Sequence, residues 1–392
     1  SALCQQQADA LPAEVIRLTG LPDDVALVVD ALLGAGVQGE PRDPIAGAIR
    51  RMRSARLPVL AADVPSGIGS ALVAPAVLTL CFQTAKRELL GQPGLGEFKT
   101  VDLGIPAAAW QEVQPVCLRR FPRHQRLGHK GNHGELLVVG GGTFPGALEF
   151  ACRAGVLSGC DMVRAWTAEG PPLPPTIVVH RQEGPHLFRA PPEELTPLLV
   201  RAGAVLIGCG LGRSGGAHDA AQQVFSLAID MGIPVVVDAD ALDLLADPIR
   251  ELKPGDHQLL LTPHRGEARN LIGTNDDDSI HAFARPDRVL LAKAPVDLIS
   301  DGQRWQRNPR GNPRMAMGGT GDVLAGLAAG LMARGCSAFD AARIAVLWEC
   351  VAADELWQEQ GPCYDTLALL GHLPTTLRRL MEPLGLWPPM SD

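Results

Sequence analysis

Asn312-Pro313-Arg314-Met315-Ala316-Met317-Gly318-Gly319-Thr320-Gly321-Asp322 runs directly into the apolar stretch 323–333. A glycine-rich turn at a helix N-terminus aims unpaired backbone N–H groups and the positive end of the helix dipole at one point, an arrangement that suits a phosphate. An acid at the mouth of such a hole can serve as a general base. By position alone, Asp322 is also readable as a helix cap.

Working outward, short β-branched or apolar runs alternate with Ala/Leu-rich stretches of helical length, the pattern of parallel sheets covered by helices. Strands are expected at 135–139, 162–167, 176–180, 204–208, 234–238, 258–262 and 289–292, and a smaller set precedes them at 25–30, 58–63, 76–82 and 99–103. Residues 43–55 read as a crossover helix of the first set. Between the two series, 108–128 is broken by Pro, Arg and His and reads as an interdomain linker, leaving domains at 1–107 and 129–392. Several strands end in small or acidic residues: Val138-Val139-Gly140-Gly141-Gly142, Ile207-Gly208-Cys209-Gly210-Leu211-Gly212 and Val237-Asp238-Ala239-Asp240. Ligands of open α/β sheets collect at such carboxyl ends.

Composition narrows the function classes. The chain has 392 residues, with Lys+Arg 35 against Asp+Glu 43 and a net charge of −8. No Lys/Arg run exceeds two residues, so there is no electrostatic footprint for nucleic acid. The uncharged stretch 64–85 is interrupted by Pro65, Gly67, Gly69 and Pro75 and does not read as a membrane span. Gly 43 and Pro 33 are high counts, yet below those of low-complexity disorder. Nine scattered cysteines without Cys-x-x-Cys indicate neither a disulfide framework nor zinc, so a cytoplasmic chain is the simplest expectation. Ser1-Ala2-Leu3-Cys4 carries neither a starting Met nor a targeting pattern, and the start reads as cut.

The segment 312–322 resembles the anion-hole motif of the ribokinase-like superfamily. His129-Lys130-Gly131-Asn132-His133-Gly134, Gly146-Ala147, Gly208 to Gly212, Asp238 to Leu242 and Thr262-Pro263-His264-Arg265-Gly266-Glu267 follow the order of the ADP/ATP-dependent NAD(P)H-hydrate dehydratase family. Upstream, Asp30-Ala31-Leu32-Leu33-Gly34-Ala35-Gly36 and Asp63-Val64-Pro65-Ser66-Gly67 resemble the second half of an NAD(P)H-hydrate epimerase domain. In this order the two halves are similar to the bifunctional NAD(P)H-hydrate repair enzymes. The implied fold is a ribokinase-like three-layer α/β domain preceded by an incomplete Rossmann-like α/β domain.

The resemblance implies roles. Hydrated NAD(P)H carries a ring hydroxyl, a poor leaving group until phosphorylated. Asp322 would deprotonate that hydroxyl, with ADP as phosphate donor and Mg2+ as its companion ion. Gly318, Gly319, Thr320, Gly321 and Lys293 would bind the nucleotide. Ala147, Gly210, His264 and Asp322 would contact the hydrated nicotinamide. Close packing remains the alternative for Ala147 and Gly210, and a core or surface position for His264; Asp238 and Asp240 end a strand and read equally as Mg-linked acids or as solvated turn acids. In the first half, Asp30 and Ser66 would bind K+, Asp63 would face the hydrated ring as the epimerisation acid–base, and Gly34, Gly36 and Gly39 would line the substrate. A homo-oligomer is compatible with the apolar segment 339–357, which reads equally as interface or core.

The chain also departs from the pattern. No Asn-Asn-Gly-Gly-Asp-type loop precedes residue 29, so the epimerase-like half is expected to lack part of its site and its activity. Lys293-Ala294-Pro295-Val296-Asp297 stands where the family has Lys-Gly-x-Gly-Thr. Pro295 removes an N–H donor and Asp297 adds negative charge, so weakened ADP binding is expected. Residues 275–278 read as a solvated turn. A small-molecule kinase of the same superfamily and a non-catalytic dinucleotide-binding remnant are the competing readings.

Overall fold

The structure, a computed structural model, describes residues 25–34, 39–84, 86, 91–106 and 111–391. They fall into two compact units divided at 107/108.

In the first unit β1 (Val28–Asp30), β2 (Val59–Ala62), β3 (Ala76–Phe82) and β4 (Glu97–Val101) form a parallel sheet in that order. Helix α1 (Ile45–Ala55) buries Ala46, Ile49 and Met52, and Ile49 and Met52 pack with Val28, Val59 and Ala74 as a small core. Asp30 and Asp63 end β1 and follow β2, placing both acids at the carboxyl edge.

The second unit is built on a nine-stranded sheet in the order β14 (Trp305–Asn308), β13 (Asp297–Ser300), then β12-β11-β10-β9-β6-β7-β8. Its parallel strands are β6 (Glu135–Val139), β7 (Met162–Thr167), β8 (Ile177–Arg181), β9 (Ala204–Ile207), β10 (Val235–Val237), β11 (Leu259–Leu261) and β12 (Arg288–Ala292). Alternation along each strand divides the interior in two. Leu136 and Val138 of β6 face one core, while Leu137 and Val139 face the other. Helices cover both faces, which is why the central strands are continuously apolar. On one side lie α2 (Pro145–Leu157), α9 (Thr320–Ala333), α10 (Ala338–Gln360) and α11 (Thr366–Met381). On the other lie α3 (Pro192–Arg201), α4 (Gly215–Asp230), α5 (Asp240–Leu244), α6 (Ala246–Glu251), α7 (Arg265–Ile272) and α8 (Asp277–Phe283).

Helix α9 is the inner helix of its layer: all of its residues except Gly321 and Asp322 are buried. A Cβ on Gly326 would lie 2.3 Å from the Ala151 carbonyl, so this glycine sets how closely α9 meets α2. Helix α10 is buried along most of its length, which makes 339–357 largely core.

Two expectations are corrected. Residues expected to form a linker belong to the second unit. Val113, Cys117, Leu118 and Phe121 are buried in its core, with Phe121 edge-on to Trp348 at 6.1 Å, and β5 (His124–Gln125) pairs with β15 (Met390–Ser391). Two strands were not foreseen: β13 (Asp297–Ser300) and β14 (Trp305–Asn308) add an antiparallel hairpin beside β12. The expected turn at 275–278 begins a helix, because the Asp276 side chain accepts the N–H of Ser279 and so caps α8. No helix among the described residues is long and apolar enough to cross a membrane.

Candidate active site

Strands β6 and β9 are neighbours whose onward connections run in opposite directions, β6 to β7 and β9 to β10, which opens a crevice at the carboxyl edge, the position where such sheets bind ligands. The loops there interlock. Gly141 N–H donates to Cys209 O (2.9 Å), and Phe144 N–H donates to Gly210 O (3.1 Å). Gly210 has φ +67°, and a Cβ on it would fall 2.0 Å from the Phe144 carbonyl and 3.1 Å from the Cβ of Ala147. The structure therefore brings Ala147, in the first turn of α2, against Gly210, as both the binding and the packing readings require.

Gly319, whose Cβ position lies 2.5 Å from the Phe150 ring of α2, is the N-cap of α9 at φ +97° and offers no side-chain cap. The turn is tied from behind, since the Thr320 hydroxyl donates to Met315 O (2.7 Å) and the Thr366 hydroxyl to Gly318 O (2.7 Å). The first-turn N–H groups of a helix have no intrahelical partner, which leaves those of Thr320, Gly321 and Asp322 for a ligand. Burial, and then the Asp238 carboxylate, push Asp322 up to about 6, against the opposing pull of Cys209 and Lys293. A carboxyl poised there takes up and releases a proton near neutrality.

Asp238 follows β10 and is buried. It accepts from the Thr262 hydroxyl (2.7 Å) and from Lys293 Nζ (2.7 Å). Burial works against the Lys293 charge, but Asp238 and Glu267 hold its pKa above the ordinary lysine value. The same ammonium lies 3.3 Å from where a Cβ on Gly321 would sit, so it reaches the anion-binding turn. Ala239, in the left-handed region at φ 50°, separates Asp238 from Asp240. Asp240 turns the other way, accepting Gly212 N–H (3.0 Å) and Arg213 Nε (3.0 Å).

His264 is the N-cap of α7. Its Nδ1 accepts the N–H groups of Gly266 and Glu267, both at 3.0 Å, while Glu267 accepts the His264 N–H (2.8 Å). This capping fixes the ring and, when it is neutral, leaves the proton on Nε2. The exposed ring lines a cavity of about 560 Å³ that extends from Lys293 and Gly321 past Pro295, Met315 and Leu324 to Glu349. Asp297 also lines it, but its carboxyl is folded back on its own loop, accepting from Ala294 N–H (3.0 Å) and Asn308 Nδ2 (3.1 Å). Burial pushes Asp297 up to about 6, which still leaves it mostly ionised at neutral pH, with its charge turned onto Ala294 N–H and Asn308 Nδ2. Glu349 was not foreseen. The available signal was a single acid inside the apolar helical run 345–353.

Cys209 Sγ and carboxylate oxygens of Asp238 and Asp322 lie within 4.8 Å of one another. This set does not fit a protein-held Mg2+, which takes six hard oxygens. The thiol is held protonated by burial, and Asp238 is already committed to Lys293 and Thr262.

In the first unit, Asp30 is fully buried and accepts the Ser66 N–H (2.7 Å) and hydroxyl (2.6 Å). No basic side chain pairs with it among the described residues, and an uncompensated buried carboxylate fits a cation. Asp63, in the left-handed region at φ 70°, is ion-paired with Lys86. Gly34 lies beside Asp63, with a Cβ position 3.9 Å from Oδ2. Nothing lies within 4 Å of the Cβ position at Gly39, and Gly36 falls outside the described residues.

A family model described as NAD(P)H-hydrate dehydratase matches residues 136–375, and one described as YjeF-related protein N-terminus matches 2–88. The chain is 34% identical over 398 residues to the bifunctional NAD(P)H-hydrate repair enzyme of Hyperthermus butylicus, covering 94% of this chain and 74% of that one. The Escherichia coli enzyme of the same name is 31% identical over 398 residues, covering 92% and 73%. The ADP/ATP-dependent NAD(P)H-hydrate dehydratase of Bacillus subtilis superposes with a TM-score of 0.56 at 22% identity, covering 69% of this chain and 98% of that one. A ribokinase-like superfamily protein of Enterococcus faecalis gives 0.59 at 23% identity, covering 69% and 96%. These two structures show the ribokinase-like fold. With its relatives matched along nearly its whole length, the chain belongs to the family of bifunctional NAD(P)H-hydrate repair enzymes.

Proposed function

We propose that the second unit dehydrates the S form of hydrated NAD(P)H at the expense of ADP, giving NAD(P)H, AMP and phosphate. The observation that carries this reading is the position of Asp322: a carboxyl with a pKa of about 6, in the first turn of α9, within 4.8 Å of Asp238 and of Cys209, the residue before Gly210. The hydrated ring would lie over Gly210 and Ala147, with the His264 ring at its border. Asp322 takes the proton of the ring hydroxyl as that oxygen attacks the β-phosphorus of ADP, and AMP leaves.

Thr320, Gly321 and Lys293 hold the transferred group, by positioning and electrostatics rather than covalent chemistry. The ring nitrogen lone pair then expels phosphate, breaking the carbon–oxygen bond, and loss of the neighbouring ring proton restores the double bond. A divalent ion would enter on the nucleotide phosphates rather than in a cage of side chains. In the first unit, Asp30 and Ser66 would hold K+, while Asp63 and Gly34 would face the hydrated ring.

Product analysis tests the reading. ADP-dependent return of the near-ultraviolet absorbance of reduced nicotinamide, with release of phosphate, is expected. A stable phosphorylated alcohol would favour a kinase, and absence of ADP binding at millimolar concentration would favour a non-catalytic remnant.

A further inference from the structure

The cavity that runs away from the phosphate-binding turn contains a group the dehydration does not use. Glu349, on α10 between the lining residues Val346 and Cys350, is 2% exposed, and its Oε1 has no hydrogen-bond partner among the described residues. An unmatched buried carboxyl costs free energy, and a native protein keeps one where a ligand completes it. The walls beside it supply Leu324, Val346, Met315 and Pro295, apolar surfaces suited to the faces of a flat ring. Lys293 and Gly321 stand at the phosphate end of the same cavity.

We propose that Glu349 reads the edge of the adenine of bound ADP, donating its O–H to a ring nitrogen and accepting from the exocyclic 6-amino group. Burial, and then the nearby Asp297 carboxyl, push Glu349 well above the usual carboxylate range, which keeps on it the proton this pairing needs. The proposal rests on the reading that ADP occupies this cavity, and it adds the residue that makes the site select a base as well as a diphosphate.

Calorimetric titration with ADP and with purine riboside 5′-diphosphate, the same nucleotide without its 6-amino group, provides the test. The wild-type protein is expected to bind the analogue ~10-fold more weakly, the value of one good hydrogen bond. Glu349→Met should bind the two equally, whereas Glu349→Gln, which keeps a donor and an acceptor, should retain the discrimination. Equal affinities in the wild type, or undiminished discrimination in Glu349→Met, would overturn the assignment. If the Met variant does not fold, equal affinities in the wild type still overturn the assignment by themselves, and Glu349→Gln carries the attribution to this side chain. A wild-type protein that binds neither nucleotide would overturn the reading of the cavity as a nucleotide site, a result distinct from binding without discrimination.

Discussion

Lys293 Nζ meets Asp238 Oδ1 at 2.7 Å, joining the ends of β12 and β10 directly below the anion-binding turn. Asp238 is almost wholly buried and the lysine mostly so. Removing one partner of such a pair strands the other charge. Lys293→Met is therefore expected to cost about 3 kcal/mol of stability, and Asp238→Asn added to it should recover part of that loss. Denaturant unfolding checks both, and an unchanged midpoint in Lys293→Met would mean that the pair is solvated.

Asp322 gives a pH prediction. The carboxyl acts as a base only when ionised, and its pKa is about 6. Activity, measured as kcat/KM for the hydrated nucleotide between pH 5 and 8, should rise about tenfold per pH unit on the acid side and level off above pH 6 to 7. A flat acid limb would remove Asp322 from the base role.

Gly210 gives a steric one. Its φ of +67° and the 2.0 Å clash awaiting a Cβ leave no room for alanine. Gly210→Ala is expected to cost about 1–3 kcal/mol and to raise KM for the hydrated nucleotide more than KM for ADP. Thermal unfolding and steady-state kinetics read the two effects, and a wild-type Tm with wild-type KM would contradict the interlocked loops.

Much of this framework was legible before the structure. Val-Val-Val at 235–237 and Leu-Leu-Leu at 259–261 are buried on both faces, so their apolar runs could only be central strands. The order of the glycine and acidic strand ends predicted the crevice, and the structure brings Ala147, Gly210, Lys293 and the 318–322 turn to one edge. What stayed hidden depended on tertiary partners. Val113, Cys117, Leu118 and Phe121 become core against distant helices, α10 and α11 among them, and β13 and β14, four residues each, have too short a period to announce themselves. Asp276 and Asp277 read as solvent-seeking acids, but one caps α8 and the other pairs with Arg265 and Arg307. Glu349 was concealed by the apolar helix around it.

In the first unit, the buried carboxylate of Asp30, held by Ser66, should bind an alkali cation. Tm measured in KCl is expected to exceed that in tetramethylammonium chloride at equal ionic strength, and Ser66→Ala should abolish the difference while costing about 1–3 kcal/mol. A K+ increment that survives in Ser66→Ala would place the cation elsewhere.

The most direct measurement follows ADP-dependent regeneration of reduced nicotinamide from hydrated NADPH by the wild-type protein and by Asp322→Asn, with ADP affinity measured on both. The wild type should turn over and release AMP and phosphate. Asp322→Asn should bind ADP normally and lose at least ~100-fold in rate. Turnover at the wild-type rate in Asp322→Asn, with ADP binding intact, would contradict the assignment of the reaction to this carboxyl.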